Sequence, residues 1–235
     1  MMIENKKTLI AFAVISFSAF NAQAQWSVNV GPITVAPDAS SSNLNVVEQV
    51  AALPSGSTSV TVNDNTQLGI TVDYSFNRYW SASVVAATPF SHNIRVAGSA
   101  IDGLAIGDTK HLPPTIFARF YPLTSTTDFM PFIGVGINYT HFFQESVSDE
   151  LRQALTDLGV ANTQDTLSLN LDASFGLAYQ AGFDWRINQQ WGVHLMFSMI
   201  DIETDAEVRL NNTAIQKVNV QIDPLVSMLG VKYYF

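Results

Sequence analysis

The chain has 235 residues, 47% of them apolar and only 13% charged, with a formal net charge of -9 and no cysteine. The acidic excess argues against a nucleic-acid partner, whose phosphates require a basic face, and the lack of cysteine removes disulfide frameworks and thiolate metal sites. No apolar run beyond residue 20 approaches the roughly 20 residues a membrane helix needs, which excludes a helical membrane protein.

Residues 1–24 have the pattern of a cleaved secretory signal: Lys6 and Lys7, an apolar stretch from Thr8 to Phe20, then the small-x-small site Ala22-Gln-Ala24. The mature chain is expected to begin at Gln25 and run to residue 235 as one domain, its charge moving from -9 to -10 because two lysines and one glutamate leave.

A first strand is expected over Trp26 to Ala36, followed by a Ser- and Asn-rich loop to Asn65 in which Thr58 to Val62 extends a hairpin beyond the membrane. Thr66 to Phe76 alternates, with Leu68, Ile70, Val72, Tyr74 and Phe76 on one face and Gln67, Gly69, Thr71, Asp73 and Ser75 on the other. After Asn77-Arg78, Trp80, Ala82, Val84 and Ala86 oppose Ser81, Ser83, Val85 and Ala87. A loop from His92 to Lys110 precedes a fourth strand, Thr115 to Tyr121. A polar turn from Pro122 to Asp128 leads to the fifth, with Ile133, Val135, Ile137 and Tyr139 on one face.

A long interruption spans Gln144 to Asn170. Within it Ser148 caps the one helix the pattern supports, with Asp149 and Glu150 in its first turn, Leu151, Leu155 and Leu158 on one side, and Gly159 at its end. The sixth strand alternates Leu177, Tyr179, Ala181, Phe183 and Trp185 with Gly176, Ala178, Gln180, Gly182 and Asp184. The seventh carries Trp191, Val193, Leu195, Phe197 and Met199 against Gly192, His194, Met196 and Ser198. A loop from Glu203 to Lys217 leads to the eighth, in which Leu225, Leu229, Val231, Tyr233 and Phe235 share one face and Met228, Gly230, Lys232 and Tyr234 the other.

Eight strands, connections that alternate long and short, and large apolar residues on one parity predict an all-β fold, an eight-stranded antiparallel transmembrane β-barrel of the outer membrane. Trp26, Phe76, Trp80, Phe120, Trp185, Trp191, Tyr233 and Phe235 all fall at inner strand ends, as an aromatic girdle at one lipid interface requires. A soluble core would have no reason to gather aromatics at the short turns. Such a barrel has outer-membrane lipids and lipopolysaccharide as surroundings, and its last strand is the part the barrel-assembly machinery would engage.

Asn65-Thr-Gln-Leu-Gly69, Ala86-Ala-Thr-Pro-Phe90, His111-Leu-Pro-Pro-Thr115, Gly134-Val-Gly-Ile-Asn-Tyr-Thr140 with Phe142-Phe143, and Met199-Ile-Asp-Ile202 together resemble the OmpW family of small outer-membrane proteins, from the second strand onward. The resemblance implies a narrow, largely apolar lumen that helps small hydrophobic solutes across the outer membrane. It also places an apolar gate at Val85 and Ser198. Ser198 departs from the large aromatic expected there, with Met196 and Ile200 on the same face as partial replacements.

On the same strand parity, Asp73, Arg119, Asp184, Arg186 and Lys232 point inward near the inner end, and five charges meeting there would form a polar plug. Pro89, Pro113 and Pro114 stand at the outer ends of the third and fourth strands, where each removes a ladder donor. Two readings of these prolines are open, simple strand termination or a lateral opening, and the family resemblance favours the second.

His92, His111, His141 and His194 have no metal-ligand spacing, and Ser91-His92 with a loop acid is the nearest approach to a catalytic set. No cofactor, metal or catalytic residue is assigned. His194 is expected to be a hydrogen-bonded lumen residue beside the charges. The acidic outer loops fit a solvated surface or divalent ions bridging to lipopolysaccharide. The expected function is passive conduction of small hydrophobic solutes with sideways exit above the plug. A structural or surface-recognition barrel and a lipid-modifying enzyme are the alternatives.

Overall fold

The computed structural model describes residues 26–123 and 128–235; the expected signal segment, Gln25 and part of the Pro122 to Asp128 turn lie outside the described residues. Eight strands form the barrel wall: β1 Trp26–Ala36, β2 Asn65–Ser75, β3 Trp80–Ala87, β4 Thr115–Phe120, β5 Phe129–Val147, β6 Ser174–Arg186, β7 Trp191–Ile200 and β8 Leu225–Tyr234. Each pairs antiparallel with its sequence neighbour, and β1 pairs with β8 from Ser27↔Tyr234 to Ala36↔Leu225, which closes the ring. Closure matters because hydrocarbon offers no partner for an open ladder edge.

Strand alternation divides the two faces as expected. Ile133, Val135, Leu177, Leu229 and Val231 each expose more than half of their surface, while Asn29, Thr71, Asp73, Arg119 and Asn138 are buried in the lumen. At the inner rim Trp26 packs on Tyr74 at 4.8 Å, Trp80 on Phe120 at 5.0 Å and Trp191 on Tyr233 at 4.9 Å. Two lumen glycines make room for aromatic rings. A Cβ on Gly136 would stand 2.7 Å from Phe117 Cδ1, and one on Gly182 2.7 Å from Phe132 Cζ.

Above the membrane the wall continues further than the sequence pattern indicates. Most of the expected His92 to Lys110 loop is a hairpin, Phe90–Ala97 with Ala105–Leu112, and Ser59–Val62 adds to its edge as anticipated. β5 runs on through Val147 against that hairpin, and the expected Glu203 to Lys217 loop is a second hairpin, Glu203–Leu210 with Thr213–Gln221, flanked by Leu167–Leu171. Outward positions of the first hairpin and of β5 beside it turn polar here, with Asn93, Arg95, Lys110 and His141 exposed, so this extension stands outside the lipid belt. Its inward residues, Val60, Ile94, Val96, Ile106, Leu169, Val218 and Val220, form a second apolar core above the barrel's own.

Two helices cap the extension. Ser148 Oγ accepts from the Leu151 N–H at 3.0 Å and starts the expected helix, Asp149–Asp157, with Leu151 and Leu155 buried. The other, Asn45–Val50, is additional to the single helix expected. It has six residues and no side-chain N-cap, so it leaves almost no periodic signal, and packing rather than propensity must hold it. Glu48 turns inward from it and accepts from the amides of Gly56 and Thr58 and from the Thr58 hydroxyl.

Candidate functional site

The lumen is stratified. At its base, Asp73 on β2, Arg119 on β4, Asp184 on β6 and Lys232 on β8 meet in one buried network. Arg119 Nη1 donates to Asp73 Oδ1 at 3.0 Å, while Lys232 Nζ bridges Asp73 Oδ2 at 2.8 Å and Asp184 Oδ2 at 2.6 Å. Asn29 Nδ2 donates to Asp73 at 3.0 Å and Tyr121 Oη to Asp184 at 3.1 Å. Ser83 also donates to Asp73. His194 Nδ1 lies 2.6 Å from Asp184 Oδ1, in the role expected for it. With two carboxylates, one guanidinium and one ammonium, the formal charges cancel.

Arg186 stands apart from this network. It is exposed at the inner mouth with its guanidinium 4.3 Å from the Tyr234 ring centroid. Its lumen parity was legible, but it lies at the very end of β6, where the side chain reaches water. The network instead recruits neutral groups that the charge pattern does not reveal, including Asn29, Thr71, Ser83, Tyr121 and Gln180; polar identity at lumen parity was their only signal.

Gln180 forms the ceiling of the network. Its Oε1 accepts from Arg119 Nε at 2.6 Å, and its Nε2 faces Met196 Sδ at 2.9 Å and Ser198 Oγ at 3.3 Å. Above it the lining becomes apolar. Val85, Met196, Ser198 and Ile200 are brought together with Ile33, Val35, Phe90, Phe117 and Val226 around a small cavity. That cavity extends outward to Ala86, Ala87 and Pro113, at the junction of β3 and β4.

Pairing across this junction is interrupted. The β3–β4 ladder ends at Val85↔Thr115 and the hairpin ladder above resumes at Phe90↔His111. Thr88, Pro89, Leu112, Pro113 and Pro114 between them form no rungs of that ladder, and each proline lacks an N–H. The carbonyls of Pro113 and Pro114 are turned instead to Asn138 Nδ2 and the Tyr139 amide on β5.

Higher still, an apolar vestibule is walled by residues such as Leu44, Val60, Ile106, Phe142, Leu169 and Val218. It shares Val35 with the cavity below, and Leu44, Ile106, Val208 and Gln216 with an outer cleft beside the two helices. Leu151, Leu155 and Leu158 of the Ser148-capped helix line that cleft, so this helix sits at the mouth. His92 and His111 face the vestibule. The His92 Nδ1 lies 2.6 Å from the Asn63 carbonyl, so the ring is held by backbone rather than by the loop acid a catalytic set would need. His141 is exposed and stacks on Phe143 at 6.1 Å.

The sequence profile of the OmpW family matches residues 23–235. Outer membrane protein W of Vibrio cholerae is 35% identical over 237 residues, covering 98% of this chain and 100% of that protein. The crystal structure of the outer membrane protein OprG of Pseudomonas aeruginosa is similar at a TM-score of 0.76 and 36% identity, covering 91% of this chain and 97% of that one. A more distant relative, at 26% identity over 91% of this chain and 90% of its own length, is the dibenzothiophene metabolism operon protein PahQ of Pseudomonas aeruginosa.

Proposed function

The chain belongs to the OmpW family and is a barrel of the outer membrane, and on that premise we propose that it passively conducts small hydrophobic solutes from the outer mouth into the membrane. A solute enters beside the two helices, crosses the apolar vestibule and reaches the cavity at Val85, Met196, Ser198 and Ile200. There it meets the ion network. Continuing downward would strip paired buried charges of their partners, a cost of about 3–5 kcal/mol for each pair broken. Moving sideways, past Ala86, Ala87 and Pro113, disturbs no ladder hydrogen bond between β3 and β4.

The observation that carries this reading is the cavity itself, which joins the apolar lumen to the gap marked by Pro89, Pro113 and Pro114. The distant relative whose name places it in a dibenzothiophene metabolism operon adds a compatible solute class, compact aromatic molecules. Ser198 in place of a bulky aromatic leaves the cavity floor to Met196 and Ile200, so the proposed constriction is set by flexible and aliphatic side chains. Outer-membrane lipids surround the barrel; contact of the outer loops with lipopolysaccharide and of β8 with the assembly machinery belong to the same proposal.

The lack of native cysteine permits a direct test. With cysteines at Ala87 and Pro113, joining the two thiols by a short bis-methanethiosulfonate, which forms a disulfide to each and releases sulfinate, is expected to arrest uptake of an apolar probe into lipopolysaccharide-containing proteoliposomes, and reducing those disulfides to restore it. Uptake that continues through the linked seam would refute lateral exit.

A further inference from the structure

Charge is divided unevenly along the barrel axis. The extension and its loops, residues 37–64, 88–114, 141–173 and 201–224, hold 16 acidic and five basic residues, a net charge of -11, while the remainder of 26–235 holds three acidic and four basic. Of the five bases, Arg209 and Lys217 share one carboxylate, Glu207. Arg95 donates to the Gly103 carbonyl at 2.8 Å and Arg152 to the Asp165 carbonyl at 3.3 Å. Lys110 is exposed on the first hairpin, in register with Ser91 and Phe143. The exposed acids at the mouth have neutral partners: Asp102 accepts from the Gly98 amide at 2.7 Å, Glu150 from the Ala105 amide at 2.9 Å and Asp157 from Gln153 Nε2 at 2.7 Å. None of these three is in an ion pair among the described residues.

These acids border the outer cleft. Val46, Val50 and Leu158, which line it, are 36%, 39% and 46% exposed although they stand above the lipid belt, while Leu151 and Leu155 are buried deeper in it. An apolar chain entering from water therefore meets an open lip and a dry floor. Asp157 directly precedes Leu158, in the last turn of its helix, where no basic residue stands. The carboxyl end of a helix is already its negative pole, so Asp157 adds to a field that no residue of that turn offsets. Asp102 follows the lining residue Ile101, and Glu150 is held to the segment between Leu104 and Ile106.

We propose that the outer cleft is a docking site for single-chain cationic amphiphiles, alkylammonium ions, with the chain against Leu151, Leu155 and Leu158 and the ammonium in water beside Asp157. The cleft supplies the area that binds the chain, and the acids at its border select the head group. An alkylamine is protonated at neutral pH, as the Lys side chain is. Its charge stays outside the cleft, so docking requires no burial of an ion. A carboxylate head is repelled at the same place, and a neutral head gains only the chain contribution. This rests on the conduit reading for the cleft's place on the path, and names the amphiphile class gathered at its mouth.

The test uses three probes with one chain, octylammonium, octanol and octanoate, titrated into the full barrel in zwitterionic lipid nanodiscs, with empty nanodiscs as baseline. The methyl resonances of Val50, Leu151 and Leu158 report occupancy of the cleft itself. Octanol is expected to shift them, and octylammonium to bind about tenfold more tightly than octanoate at low salt, the contrast that exposed charges of this kind set. That contrast should shrink toward unity as salt is raised. Asp157→Asn keeps an acceptor for Gln153 and removes the charge; it should narrow the contrast about threefold and leave octanol binding unchanged. Equal affinity for octylammonium and octanoate, a contrast indifferent to salt, or one that survives intact in Asp157→Asn overturns the docking site while octanol binding leaves the conduit standing. Methyl resonances unmoved by all three probes overturn both the docking site and entry beside the two helices.

Discussion

Lys232 on β8 reaches across the position of β7 to donate to Asp184 on β6 at 2.6 Å, and the same ammonium nitrogen holds Asp73 on β2 at 2.8 Å. One side chain therefore ties together strands from opposite ends of the sequence through the lumen, adding to ladders that join only adjacent strands.

Because each carboxylate in this network is buried, losing its cation leaves a charge that neither water nor lipid can compensate. Lys232→Met is expected to lower barrel stability by about 3–5 kcal/mol, and Lys232→Met combined with Asp184→Asn by less than the sum of the two single changes. Urea unfolding in lipid vesicles, followed by tryptophan fluorescence, measures both.

The lumen glycines set a second limit. A Cβ on Gly136 would meet the Ile116 carbonyl oxygen at 2.4 Å as well as the Phe117 ring. Gly136→Ala should destabilise the barrel by about 1–3 kcal/mol. Thermal unfolding read by the electrophoretic shift of the folded barrel reports the loss, with Ala118→Gly on the lipid face as a control expected to behave differently.

Glu48 makes the outer loop acid-sensitive. The Gly56 amide first, then the Thr58 hydroxyl and amide, hold its carboxyl below the ordinary carboxylate range. A depressed carboxylate pKa contributes stability that is complete above the unfolded value and is lost as pH falls through the folded one. Hydrogen exchange at Gly56 and Thr58, extrapolated to a common intrinsic rate, should therefore accelerate as pH falls into that range, and in Glu48→Gln should be fast already at neutral pH.

The Ser148 cap offers a local counterpart. Ser148→Ala removes the acceptor for the Leu151 amide, and the helix at the mouth should weaken by about 1 kcal/mol. Exchange protection within Asp149–Asp157 is the measurement, with the barrel ladders unchanged.

The barrel was legible because a lipid-facing strand must alternate: Leu68, Ile70 and Val72 against Gln67, Thr71 and Asp73 leave no other register. The same rule faded above the membrane. There the outward face is polar and carries residues such as Arg95, Asp108 and Lys110, so most of Phe90–Ala97 and all of Glu203–Leu210 read as loops until their partners are in view. Four of the five expected lumen charges meet because parity and depth along the strand fixed them. Arg186 does not, since at the strand end its side chain lies over the Tyr234 ring and reaches water at the inner mouth. Which neutral groups complete the network depends on distances across the lumen: Gln180 and Arg119 are 61 positions apart in the chain and 2.6 Å apart in space.

The account turns on the cavity at Val85. The most direct measurement is uptake of a fluorescent apolar probe by lipopolysaccharide-containing proteoliposomes, recorded beside ion current, for the parent and for Val85→Trp with barrel folding verified. The account predicts rapid uptake with little steady ion flow in the parent, and a marked fall in uptake when tryptophan fills the cavity. Uptake no faster than in protein-free vesicles, or undiminished in Val85→Trp, would contradict it.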